Sequence, residues 1–129
     1  MAYTTYVSQL LMNYAFTATA VTRPTAWSVA LFTGNPESGG TEVVDANYAA
    51  QSVAFSVADA DSNGRSEASN DAVVTFPAMN AAATVAYLVV LDQGSNQLAS
   101  LPLNVSRNLE AGDVFSIPAG ELVIKGENA

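Results

Sequence analysis

The sequence predicts a mainly β fold: a β-sandwich or jelly-roll-like domain of about eight short antiparallel strands behind an N-terminal α-helical arm. Three observations lead there. Apolar residues recur at helical spacing only before Pro24, and with a period of two after it. Clusters of Gly, Pro, Asn, Asp and Ser interrupt the chain and leave runs of strand length between them. Half of the 129 residues are hydrophobic, enough for a core, yet no apolar run reaches the ~18 residues of a membrane span. A partly open barrel carries the same one-dimensional pattern.

The helix is expected from Tyr6 to Tyr14. Tyr6, Leu10, Asn13 and Tyr14 fall at helical spacing, with Val7, Leu11 and Ala15 beside them, and Thr4 or Thr5 is placed to cap the start. Arg23-Pro24 is expected to end it, because proline has no amide donor and pushes its predecessor out of helical geometry. The wide apolar stripe needs cover, from the body of the domain or from another chain.

Strand chemistry follows. Trp27–Phe32 places Trp27, Val29 and Leu31 on one face. Gly34-Asn35-Pro36 and Ser38-Gly39-Gly40 mark a surface loop, and Glu42–Val44 reads as a short strand. Gln51–Val57 alternates so that Val53, Phe55 and Val57 point inward. A polar loop is expected from Ala58 to Asp71, then a strand over Ala72–Phe76 stopped by Pro77. Ala81-Ala82-Ala83 suits either a helical turn or tight sheet packing. Thr84–Leu91, almost continuously apolar, is the expected central strand, buried on both faces. Asp92–Asn96 turns the chain into Gln97–Val105. Val114–Ile117 and Glu121–Ile124 complete the set. The length suits one domain, residues 1–129, with the arm over 1–22 and the β body over 25–125.

Charge and composition exclude several functions. Twelve acidic residues oppose four basic ones, for a net charge of −8 and a pI of about 4.1. Nucleic-acid binding needs clustered cations to replace phosphate counterions, and anionic membranes are disfavoured for the same reason. No histidine and no cysteine are present. That removes the commonest acid–base group, the thiolate nucleophile, nearly every zinc ligand and all disulfides. The absence of cysteine fits a reducing cytoplasm. The start, Met1-Ala2-Tyr3-Thr4-Thr5-Tyr6, lacks the cationic region of a secretory signal. No catalytic residue and no cofactor is expected.

One stretch approaches an ion site. Asp59-Ala60-Asp61-Ser62-Asn63-Gly64 matches the first half of a calcium loop, with Asp59, Asp61 and Asn63 at the oxygen positions and glycine at the sharp turn. The closing twelfth position is Asn70 instead of glutamate, so a polar hairpin loop is the simpler reading. The same two aspartates sit in a solvated loop where nothing separates their pKa values for acid–base work. A Ser–Lys pair would have to use Lys125, near the C-terminus. Gly34, Gly39, Gly40 and Gly64 form no phosphate-cradling motif.

Aromatic residues divide into two groups. Trp27, Tyr48, Phe55, Phe76, Tyr87 and Phe115 lie in the β body, and most of them are expected in its core. Tyr6, Tyr14 and Phe16, with Leu10 and Leu11, suit burial of the helix against another subunit, and Arg23 suits bidentate pairing at its rim.

The order of these segments carries a resemblance. A helix leads into Trp27–Thr33, a Gly/Pro/Glu loop, Asn47–Phe55, Ala72–Ala78, Tyr87–Asp92 and Ala111–Gly120. This order resembles small virion structural proteins of tailed bacteriophages, among them proteins labelled tail fibre and capsid cement or decoration proteins. The resemblance implies a β-rich, non-enzymatic protein assembled in many copies. A compact acidic domain with an apolar arm favours a cement protein on the outer surface of the head. It would bind across joints of the major capsid protein and to copies of itself, as a dimer or trimer, after assembly in the host cytoplasm. The alternative is a tail or receptor-binding fibre module.

Overall fold

The computed structural model describes residues 3–126; the first two residues of the expected arm lie outside them. The fold is mainly β, with an N-terminal helix and antiparallel sheets. Helix α1 spans Thr5–Phe16. Nine strands follow: β1 Trp27–Phe32, β2 Gln51–Val53, β3 Phe55–Ala58, β4 Glu67–Asn70, β5 Val74–Thr75, β6 Ala83–Leu91, β7 Gln97–Leu109, β8 Ser116–Ile117 and β9 Val123–Lys125. They pair as a four-stranded sheet in the order β2-β1-β6-β7, a three-stranded sheet β3-β4-β9 and a two-stranded ribbon β5-β8.

The four-stranded sheet follows the strongest sequence signals. β6 lies inside it, antiparallel to β1 through Ser28↔Leu91 to Phe32↔Tyr87 and to β7 on its other side. Its apolar run is covered twice. Val85, Leu88 and Val90 join the main core with Val29, Leu31, Phe76, Phe115 and Leu122. Val89 packs on the opposite face with Ala30 and Phe32. β1 therefore buries both faces too, where alternation alone offered one. The Asp92–Asn96 turn is built as expected: the Asp92 carboxylate accepts the backbone N–H groups of Gly94 (2.8 Å) and Asn96 (2.9 Å) and the Asn96 side-chain amide.

That turn makes stability depend on acid. Burial opposes ionisation of Asp92, but the bonds from Asn96 and Gly94 outweigh it and hold the carboxyl below its ordinary range. A group with a depressed folded pKa stabilises above its unfolded value, about 3.9, and the contribution is lost as pH falls through the folded value. Thermal unfolding followed against pH should show the midpoint dropping below about pH 4. Asp92→Asn should lower the midpoint at neutral pH, because its new amide donor faces that of Asn96, and should flatten the acid limb.

A ring cluster joins the β5-β8 ribbon to the four-stranded sheet. Tyr48 stacks on Phe76 (centroids 6.1 Å apart, planes at 8°), and Phe76 meets Phe115 edge-on at 6.0 Å. The Tyr48 hydroxyl accepts the Leu31 N–H (3.0 Å) and donates to Glu42 (2.6 Å). Burial, followed by the bond to Glu42, pushes its phenol well above the ordinary value. Asp45 pins this segment to the chain before β6, taking the N–H groups of Asn80 and Ala81. The alanine run therefore bends into a strand, and Ala83 opens β6.

Several expectations are corrected. Gln51–Val57 is not one strand: Ala54 breaks it, β2 and β3 enter different sheets, and Val57 is 72% exposed. The expected loop from Ala58 to Asp71 contains β4, which lies between β3 and β9. The expected strand at Glu42–Val44 is an isolated bridge from Glu42 to Phe32, with Val43 buried and Val44 outward. Of Ala72–Phe76 only Val74 and Thr75 pair. Arg23-Pro24 does not end the helix. Thr17 does: extended at φ −134°, it donates its hydroxyl to the Asn13 carbonyl at 2.8 Å and accepts the Thr19 N–H at 3.2 Å. Such local bonds compete with helix continuation, and the threonines and valine that follow are poor helix formers.

Candidate functional site

The surface with the most unusual composition is α1. From Met1 to Thr22 the chain has no charged residue, and every acidic and basic side chain lies at or beyond Arg23. The helix begins where Thr4 accepts the Val7 N–H (3.4 Å). That same residue anchors it to the sheet. The Thr4 N–H donates to the Leu98 carbonyl (2.9 Å), its hydroxyl donates to that of Gln97 (2.7 Å), and Tyr3 bridges to Ala99. The helix is thus tied to the start of β7, whose edge these contacts cover in part.

Only one side of α1 meets the body. Val7 packs on the main core, while Tyr6, Leu10 and Asn13 line an open groove of about 370 Å³ with Val21 and Thr22 of the returning connector. No helix residue is buried. Leu11 (45%), Tyr14 (75%) and Phe16 (76%) are exposed, and Tyr6 is partly so. Leu10 is half-buried against its own chain. Arg23 stands apart from the helix in the connector, exposed, with its carbonyl accepting the Gln93 side-chain amide (3.3 Å). Met12, 57% exposed, was not singled out by the apolar stripe. Its four-residue spacing from Phe16 was the available signal, since such pairs share a helix face.

The candidate calcium loop is the β3–β4 hairpin connection. Asp61 organises it by accepting the backbone N–H groups of Asn63 (2.8 Å) and Arg65 (3.0 Å), while its own N–H donates to the Arg65 carbonyl (2.8 Å). Bonds from Arg65 and then Asn63 hold the Asp61 carboxyl below its ordinary value. Among the described residues, no group of three or more acidic side chains is placed to hold a metal ion. Asn70, the residue at the closing position, is turned into the core instead and is 3% exposed. One of the two Asp61 carboxylate oxygens, Oδ1, is already bonded to the loop backbone. Calcium and chelator are therefore expected to leave the thermal midpoint unchanged; a midpoint that rises with calcium would contradict this.

Comparison with known proteins adds one finding. No curated protein matches the chain. The family model described as Podophage GP4 fiber I protein gp80 matches residues 2–125, which takes in α1 and all nine strands. With nearly the whole chain matched, the protein belongs to the Podophage GP4 fiber I protein gp80 family of bacteriophage virion structural proteins.

Proposed function

We propose that this phage structural protein serves in the tail fibre apparatus, as a folded block that holds neighbouring chains in place and performs no covalent chemistry. The observation that carries the reading is the family match, which spans residues 2–125 and names a fibre protein. It favours the tail alternative over capsid cement. The fold suits the role. A core shared by three sheets gives a rigid body, and the uncharged helix at one end of the chain gives a surface for contact with other chains. The net charge of −8 keeps such bodies soluble and repels bare DNA.

Copy number tests the assignment. Quantitative gels of purified virions should give the protein at the level of known tail components from the same particles. A level matching the major capsid lattice would overturn the fibre reading. It would restore the head surface as the location and the major capsid protein as the partner.

A further inference from the structure

We propose that Asn63 is a site of spontaneous covalent modification, where the chain converts its own asparagine to aspartate or isoaspartate, and that Asp61 sets the pace. The reaction balances with water alone. The Gly64 backbone nitrogen attacks the Asn63 side-chain carbon, Cγ, and closes a cyclic imide. The bond from Cγ to Nδ2 breaks, and ammonia leaves with the proton that the Gly64 nitrogen gives up. Water then opens the ring at either carbonyl. One opening leaves aspartate; the other leaves isoaspartate, with the main chain routed through the former side chain.

Three observations concentrate this chemistry at one position. Asn63 alone among the asparagines is followed by glycine. Glycine has no Cβ to crowd the attacking nitrogen, and a Cβ built at Gly64 would meet nothing within 4 Å. Both residues are exposed on the β3–β4 connection, so water reaches the imide. By contrast, hydrogen bonds hold the side chains of Asn35, Asn47, Asn70, Asn96 and Asn108. Asn13, Asn80 and Asn104 precede tyrosine, alanine and valine.

Asp61 works against the reaction. Its carboxylate accepts the Asn63 N–H at 2.8 Å, and its carbonyl accepts the Gly64 N–H at 3.0 Å. The Gly64 nitrogen must leave that bond and lose its proton before it attacks, and the nearby carboxylate opposes the negative charge that builds there. The turn therefore delays the conversion. Its product adds a negative charge to a chain already at −8. The proposal stands on the chemistry of this loop and does not need the fibre assignment, so the two can fail separately.

The test is peptide mass mapping of the full purified chain, stored folded in mildly alkaline buffer. Exchange of the amide for a carboxyl adds about 1 Da, and this gain should appear at Asn63 before any other asparagine. An isoaspartyl methyltransferase should label the same peptide. Asp61→Ala should shorten the half-time several-fold, with circular dichroism and thermal unfolding of the β body retained. Asn63→Gln should lose both the mass gain at that position and the methyl label over the same period. An intact mass that never changes overturns the proposal, as does a gain that appears first at another asparagine. A folded Asp61→Ala variant that reacts no faster than wild type overturns the role given to Asp61.

Discussion

Phe76→Ala is expected to lower stability by about 3–5 kcal/mol, the range for removing a buried phenylalanine. Phe76 is 2% exposed and is the largest of the fully buried side chains. Its ring lies between Tyr48 and Phe115, and its backbone N–H donates to the Phe115 carbonyl at 2.9 Å. Truncation opens a void where β5, β8 and the Tyr48 segment meet, and it also removes two aromatic contacts worth about 0.5–1.5 kcal/mol each beyond their area. Domains of this size have only about 5–15 kcal/mol in total. The thermal midpoint should fall by roughly 10–20 °C. Urea unfolding with an unchanged slope would attribute the loss to the folded core. A loss under about 1 kcal/mol would mean that the ring is not the junction described.

Asn70→Ala is the second large effect, roughly 2–5 kcal/mol, because it strands several buried partners at once. The Asn70 side-chain oxygen accepts the Leu122 N–H at 2.9 Å. Its amide donates to the carbonyls of Ala72 (2.9 Å) and Pro118 (3.1 Å). Leu122 is 0% exposed, so no water replaces the lost acceptor. Asn70→Asp sharpens the test. It keeps an acceptor for Leu122 but turns a carboxylate toward two carbonyl oxygens, which raises its folded pKa. Stability of this variant should therefore increase as pH falls and the carboxyl gains a proton to donate. Chemical unfolding at neutral and acid pH measures both effects. A change within about 0.5 kcal/mol for Asn70→Ala would contradict the assigned role.

The same residue shows where the sequence was readable and where it was not. β1 and β6 were legible because apolar, β-branched runs of strand length have few other outcomes. The Asp92–Asn96 turn was legible because its chemistry is local. β4 was not, since Glu67-Ala68-Ser69-Asn70 has no strand-forming preference and is held by β3 and β9 on either side. Asn70 consequently read as part of a polar loop, and its partners lie up to 52 positions away. Gln51–Val57 alternates in burial only as far as Phe55 and changes sheets at Ala54, an event invisible to a period-two pattern. For the helix, spacing placed Leu11 and Tyr14 on it, with Phe16 in or beside it, and the structure leaves all three exposed. Leu10 and Arg23 were not separable from them, because which side meets the body depends on the Thr4 anchor to β7.

The place of this protein in the particle is the point on which its proposed function turns. The direct measurement is gold labelling of intact virions with antibody raised against the purified chain, imaged by electron microscopy. Label confined to the fibres at the tail is the predicted result; label spread over the head, or no label on mature particles, would contradict it.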